Sequence, residues 1–171
     1  MTLASARALD REGRIEAAAS PYEAALASQP ADLEGLIDLA VLYWQSTEYG
    51  FWKGSGLHLE FVETAAKRFP ELLAQARRLH PDRPEPRFWS QYTAWADLGT
   101  PVDRDELQAM LLAHPGYLEP VVFLYPTSEG SQFEGEATEL LRACLKTSTT
   151  RSRYVASVIE SALKRKTRAG S

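Results

Sequence analysis

The fold of this chain is decided near its start, where residues 6–30 read ARALDREGRIEAAASPYEAALASQP. Apolar residues recur there at intervals of three and four, as they do along one face of an α-helix. Ala, Leu, Glu and Arg dominate the stretch, and these residues favour helix. Gly13 interrupts the pattern and Pro30 ends it, because glycine permits a turn and proline cannot continue a helix. The stretch therefore predicts two helices joined by a turn.

The same pattern of short apolar periods and frequent breakers continues to the end of the sequence. Strict alternation of apolar and polar residues is scarce, so no strand is predicted. Helices are predicted at about 2–12, 16–28, 33–47, 57–68, 71–79, 85–98, 103–113, 117–125, 133–146 and 150–166. Because helices this short are marginal alone, they are expected to pack as antiparallel pairs. The fold class is all-α.

The spacing of small residues, aromatic and proline in the first stretch is distinctive. The intervals from Ala6 through Ala18, Tyr22 and Ala25 to Pro30 are 12, 4, 3 and 5 residues. This spacing resembles the tetratricopeptide repeat, a helix–turn–helix unit of about 34 residues. In such a unit the alanines let the two helices approach closely and the tyrosine fills the space between them.

Later parts of the chain resemble the repeat less closely. His80–Pro81 and His114–Pro115 end predicted helices as Gln29–Pro30 does, and Pro81 and Pro115 are 34 residues apart. The interval from Pro30 to Pro81 is 51 residues, one repeat plus 17, which predicts an extra loop and helix at about 48–68. The match is clear only in residues 1–30 and weaker to about residue 146.

The resemblance implies an α-solenoid of three to four irregular helix pairs in a single domain over residues 1–166. Its last helix would be the capping element that such arrays require. Residues 167–171 are predicted to form a flexible basic tail, since they hold no large apolar residue. An irregular helical bundle with a fortuitous pattern is the alternative.

Composition narrows the class of protein. Of 171 residues, 44% are apolar and 25% are charged, which is typical of a globular domain. A single cysteine excludes an internal disulfide framework. No apolar run approaches the roughly 20 residues of a membrane span, and the N-terminus lacks the apolar core of a signal peptide. A cytoplasmic protein is therefore expected.

Charge is distributed unevenly along the chain. Residues 1–141 carry eleven Lys and Arg against twenty-two Asp and Glu, whereas residues 142–171 carry eight against one. A basic end can bind nucleic acid, but it is equally explained as a solvated helix whose cations suit the negative end of its dipole. Because an acidic body weakens attraction to phosphate, nucleic acid is not the expected partner.

The sequence contains few catalytic or metal-binding motifs. It has no H-E-x-x-H, G-x-S-x-G, Walker-type glycine loop or C-x-x-C. His58 and Glu63 lie five residues apart and share no helix face, so no metal site is predicted. We therefore expect no enzyme, no cofactor and no metal, although an enzyme with an unrecognised site is an open alternative.

Aromatic residues supply the candidate binding surface. In tetratricopeptide arrays the first helix of each unit lines a concave groove that grips a partner, and the resemblance assigns candidate residues to that groove. They are Arg7, Arg11, Val41, Trp44, Glu85, Phe88, Tyr92 and Trp95. The aromatics at 88, 92 and 95 share one helical face, where they either line the groove or belong to the core. A second candidate contact is the predicted loop with Tyr49, Phe51 and Trp52.

These observations predict a non-catalytic protein-interaction module whose groove binds a peptide or protein partner. A bacterial adaptor or immunity-type protein is one version of this prediction. Some such grooves hold acidic C-termini with Lys, Arg and Asn side chains. This sequence contains no asparagine, so that use is not expected. The sequence does not indicate the oligomeric state.

Overall fold

A computed structural model describes residues 2–169 and is helical throughout, with no strand in that range. The helices are α1 (Leu3–Arg11), α2 (Ile15–Ser28), α3 (Leu33–Thr47), α4 (Tyr49–Gly54), α5 (Leu59–Leu79), α6 (Pro84–Leu98), α7 (Arg104–Ala113), α8 (Val121–Thr127), α9 (Glu134–Thr147) and α10 (Thr150–Ala169). The all-α prediction is confirmed for the described residues.

The chain divides into two compact units. Unit 1 comprises Met1–Ser90 and Thr149–Arg151, and unit 2 comprises Gln91–Ser148 and Ser152–Ser171. The division falls within α6 and again near the start of α10. Each unit has its own buried residues.

Unit 1 is built around α3. Eleven of the fifteen residues of α3 are buried, which makes it the central helix, and it packs against α2, α4 and α5. Asp32 caps its first turn by accepting a hydrogen bond from the backbone N–H of Gly35 at 2.8 Å. The buried faces of α2 and α5 complete the core around it.

Helices α1 and α2 pack against each other, and the residues of the predicted repeat unit lie on them. Ala6, Ala18 and Tyr22 are fully buried and Ala25 is 6% exposed. The turn between the helices contains Gly13 with a φ of +73°, a conformation that favours glycine. The resemblance of this pair to a tetratricopeptide unit and the solenoid arrangement of the whole chain both stay predictions.

A buried carboxylate ties the start of α10 to α1 in unit 1. Asp10 accepts hydrogen bonds from the Thr150 backbone N–H at 2.8 Å and the Thr150 hydroxyl at 2.6 Å. The Tyr22 hydroxyl donates to the same carboxylate at 3.3 Å. All three groups are thereby satisfied in the interior, where an unpaired polar group is costly.

Two predicted elements of unit 1 differ from the structure. The helices predicted at 57–68 and 71–79 form one helix, α5 (Leu59–Leu79), with Pro70 inside it. Val62, Ala65, Leu72 and Ala76 are buried along α5, so one apolar face continues across the proline and its burial offsets the lost backbone hydrogen bond.

The other difference is that the predicted loop after α3 contains a short helix, α4. The Glu48 carboxylate caps it by accepting hydrogen bonds from the backbone N–H groups of Gly50 and Phe51 at 3.0 and 2.6 Å. An N-cap of this kind supplies partners for backbone donors that the first turn leaves open.

Unit 2 contains the last part of α6, then α7, α8, α9 and nearly all of α10. Its fully buried side chains include Leu107, Leu124, Tyr125 and Ile159, and α8 packs against α9. The predicted helix 117–125 begins only at Val121, with Pro120 at its N-cap position, where the missing N–H breaks no intrahelical hydrogen bond.

The predicted flexible tail is partly helical. Helix α10 continues through residue 169, and the Thr167 hydroxyl donates to the carbonyl of Leu163 at 3.1 Å. The sequence predicted that this helix ends at residue 166, whereas in the structure it continues to residue 169. The remaining tail residues, 170 and 171, lie outside the described part of the chain.

Candidate functional site

The apolar side chains predicted to line a groove in unit 1 are buried. Val41, Trp44 and Phe88 are 1%, 5% and 1% exposed. Trp44 and Phe88 both contact the fully buried Trp89, with ring centroids 6.3 and 5.3 Å apart. These three side chains are core residues in this structure, which corrects the prediction that they lie on an open surface.

Two of the three charged candidates of unit 1, Arg7 and Glu85, form ion pairs with other residues of unit 1. Arg7 is bonded to Asp38, whose carboxylate lies 2.7 Å from Nη2 and 2.8 Å from Nε. Glu85 is 5% exposed and accepts a hydrogen bond from Nε of Arg83 at 3.1 Å. Arg11 alone in this set is exposed. The Arg7–Asp38 pair links α1 to α3, and both Arg7 and Glu85 are thereby engaged within unit 1.

The second candidate contact lies on α4. Tyr49 is 68% exposed, and Phe51 and Trp52 are half-buried. Tyr49 and Trp52 meet edge to face with centroids 5.8 Å apart, and the Lys53 ammonium lies 4.3 Å from the Trp52 ring centroid. This cation–π contact covers one face of Trp52, so Tyr49 is the accessible aromatic of the segment.

The remaining candidates, Tyr92 and Trp95, lie in unit 2 at an open cleft of about 420 Å³. Three helices supply its walls. Helix α6 contributes Tyr92 and Trp95, α8 contributes residues from its whole length, and α10 contributes one face. The lining residues are Tyr92, Trp95, Val122, Phe123, Pro126, Thr127, Tyr154, Val158 and Arg165. We call this the aromatic cleft.

The aromatic rings of the cleft pack edge to face, the arrangement that aromatic quadrupoles favour. Trp95 and Phe123 have centroids 5.1 Å apart at 88°, and Tyr92 and Tyr154 are 6.1 Å apart at 71°. Tyr92 also contacts Trp95 at 5.5 Å. These contacts fix the rings against one another, so the cleft is preformed rather than assembled by a ligand.

Exposure within the aromatic cleft is concentrated on one residue. Tyr92 and Phe123 are 3% and 7% exposed, whereas Trp95 is 37% exposed. One turn further along α6, Leu98 is 79% exposed. Leu98 does not line the cleft, whereas the indole of Trp95 is open to solvent beside it and is the kind of apolar surface that marks a binding site.

The two tyrosine hydroxyls of the cleft satisfy each other. Their oxygens are 2.8 Å apart, and one donates to the other. Burial raises the pKa of both phenols above the ordinary value of 10.0, so both stay neutral at physiological pH. The floor of the cleft is therefore uncharged and its polar groups are paired.

The charged side chain that lines the aromatic cleft lies at its edge. Arg165 on α10 lines the cleft and is exposed. The hydroxyl of Thr127, another lining residue, accepts a hydrogen bond from Nη1 of Arg104, which does not itself line the cleft. A ligand that enters the cleft thus meets an uncharged aromatic floor and a cationic edge.

Sequence reasoning identified part of this site. It selected Tyr92 and Trp95 but missed Phe123, Tyr154 and Arg165, which lie on helices distant in sequence. A local signal was available for α10, because Tyr154, Val158 and Arg165 recur at intervals of four and seven and share one face. Pairing that face with α8 requires the tertiary structure.

Comparison with protein-family models, curated proteins and solved structures found no match. Within residues 2–169, every helix is too short or too polar to span a bilayer. The described residues also form no group of three His, Cys, Asp or Glu side chains that could hold a metal ion.

Proposed function

We propose that this chain is a non-catalytic interaction module that binds a peptide segment of a partner protein in the aromatic cleft. The observation that carries the proposal is Trp95, which is 37% exposed at the edge of a cleft walled by other aromatic rings. Tryptophan is among the residues that contribute most to binding energy in protein interfaces. Covering it would remove apolar surface from water at little entropic cost, because its neighbours already hold it in place.

The chemistry of the aromatic cleft defines the peptide. A volume of about 420 Å³ is within the range of pockets that enclose small ligands, and it can take one or two apolar side chains. The exposed guanidinium of Arg165 at the edge of the cleft favours a carboxylate beside it. We therefore propose a ligand with an aromatic or aliphatic anchor next to Asp, Glu or a C-terminal carboxylate.

A cytoplasmic bacterial adaptor or immunity-type protein is one form of this proposal, and a tetratricopeptide-like array is its proposed scaffold. The support for the scaffold is the helix pair α1–α2 with its buried small residues. The cleft itself involves α6, α8 and α10, so the proposed contact differs from the groove that the repeat resemblance implies.

Nucleic-acid binding by the basic C-terminal segment is the less supported alternative. Two of its lysines face carboxylates, since Lys164 lies 3.8 Å from Glu160 and Lys166 is paired with Glu134. Arg165 lines the aromatic cleft. Compensated cations contribute little to phosphate binding, so this segment offers a weak surface for nucleic acid.

The proposal is tested by selecting displayed random peptides on the immobilised full chain. Enriched peptides are expected to combine an apolar anchor with an acidic neighbour, and their Kd is then measured by fluorescence anisotropy. The variant Arg165→Gln should bind acidic peptides at least five-fold more weakly, because a charge-assisted hydrogen bond is lost. Since Arg165 is exposed, this substitution should leave the fold intact.

The matched control is Leu98→Ala, which shortens an exposed apolar residue on the same helix outside the cleft lining. Its effect on Kd should stay within about two-fold, as for a residue at the edge of an interface. Selection that enriches no sequence, or enriches peptides that bind Trp95→Ala as tightly as the parent, would show that the cleft is not the binding site.

A further inference from the structure

A second cleft, in unit 1, has the opposite chemistry. It has a volume of about 310 Å³ and is lined by Arg77, His80, Pro81, Arg83, Pro86 and Arg87. These residues come from the end of α5, the connection that follows and the start of α6. None of the described residues that line this cleft is an aspartate or a glutamate. We call this the arginine cleft.

The backbone of the arginine cleft is held in place on both sides. The His80 N–H donates to the carbonyl of Ala76 at 2.9 Å and the Arg83 N–H donates to the carbonyl of His80 at 3.2 Å. Nε2 of His80 also lies 2.7 Å from the carbonyl of Ala31, so this nitrogen carries the hydrogen. Pro81 fixes a further backbone dihedral. The cleft is preorganised, which lowers the entropic cost of binding.

Its three guanidinium groups differ in role. Arg83 donates from Nε and Nη2 to the Glu85 carboxylate, so its charge is compensated and its position fixed. Arg77 and Arg87 line the same cleft and are exposed. Arg77 presents its positive charge to a ligand, on a wall that Arg83 and the prolines hold in place.

We propose that the arginine cleft binds a phosphoryl group, as inorganic phosphate or as a small phosphomonoester. The planar guanidinium presents two parallel donors that match phosphate oxygens, and arginine is enriched wherever such recognition occurs. A volume of about 310 Å³ equals the space of roughly ten water molecules. The cleft therefore has room for a phosphoryl group with a small organic substituent.

The position of Arg78 provides a matched control. It follows Arg77 on α5, is exposed and does not line the cleft. Removing either guanidinium changes the net charge of the protein equally. Any difference between Arg77→Ala and Arg78→Ala in anion binding therefore reports the cleft rather than the general electrostatic field of the protein.

The experiment is calorimetric titration of the full chain with inorganic phosphate and, separately, with phenyl phosphate at constant ionic strength. We expect saturable binding of one ion per chain. Arg77→Ala should raise Kd about ten-fold or more, since it removes a charge-assisted contact, while Arg78→Ala changes it less than about two-fold. The ring protons of His80 should shift on binding in an NMR spectrum of the same samples.

The two titrants distinguish the possible sources of the phosphoryl group. Equal affinity favours free phosphate, and tighter binding of phenyl phosphate favours a phosphomonoester. Absence of saturation up to about 10 mM, near the weak end of specific affinities, would overturn the proposal. Equal losses in Arg77→Ala and Arg78→Ala would overturn it as well. Neither result bears on the peptide proposal, because Trp95 and Arg165 belong to unit 2.

Discussion

Replacing Trp95 with alanine tests whether the aromatic cleft binds a partner or is only an edge of the core. A tryptophan side chain presents up to about 250 Å². Because Trp95 is 37% exposed, roughly 160 Å² is already removed from water and roughly 90 Å² remains open. At about 25 cal/mol per Å² these areas correspond to about 4 and 2 kcal/mol.

The two areas predict two separate losses. The free energy of unfolding should fall by about 3 kcal/mol, less than the full 4 because alanine retains part of the contact. The free energy of peptide binding should fall by about 2 kcal/mol, which is about a 30-fold rise in Kd. The fully buried Trp89 sets the upper limit, since its replacement by alanine should cost about 3–5 kcal/mol in stability.

Urea unfolding followed by circular dichroism gives the first quantity, and anisotropy with a selected peptide gives the second. Leu98→Ala is the control for both and should change stability by less than about 0.5 kcal/mol, as exposed substitutions do. A stability loss for Trp95→Ala as large as that for Trp89→Ala would mean that the indole is a core residue. An unchanged Kd in a folded variant would remove the cleft's proposed anchor.

Three further predictions concern stability and ionisation. Asp10→Ala should lower the free energy of unfolding by about 3 kcal/mol in urea titration, because the buried donors of Thr150 lose their acceptor; a loss below about 1 kcal/mol would contradict this. Hydrogen bonding to Glu16 raises the pKa of His58 above 6.5, so in Glu16→Gln an NMR titration should return it towards that value. This pair stabilises the fold below the unfolded pKa of His58 and loses that contribution as pH rises through the raised pKa, so the variant should lose more thermal stability at about pH 6 than at about pH 9. Pro70→Ala should raise Tm, with a gain of about 1–3 kcal/mol, because an exposed position inside α5 regains a backbone hydrogen bond; a lower Tm would show that the proline is needed.

Local signals were sufficient to predict most helices. The helix predicted at 33–47 is α3 as observed, since Asp32 is an N-cap residue at its start and its carboxylate accepts from Gly35. Local signals failed at Pro70, where the rule that proline ends a helix was outweighed by one apolar face buried across it. Local signals also failed at α4. Its glycines favour a loop, but the Glu48 carboxylate caps the first turn and stabilises a short helix there.

The binding surface was less predictable than the helices. Phe88, Tyr92 and Trp95 share one helical face by spacing, yet their exposures are 1%, 3% and 37%. The same spacing serves a core stripe and an open groove equally well, and only packing decides between them. For Trp95 the deciding neighbours are Phe123 and Tyr154, which the chain brings close from 28 and 59 residues away.

The two proposed sites share a physical design that makes them testable. In the aromatic cleft, Tyr92 and Tyr154 bond to each other, and in the arginine cleft, Arg83 bonds to Glu85. These internally paired groups fix the walls, so their removal would damage the structure before it revealed anything about a ligand. The groups left to contact a ligand are the more exposed ones. Substituting the exposed arginines Arg165 or Arg77 therefore changes recognition more than stability, which lets binding and folding be measured apart.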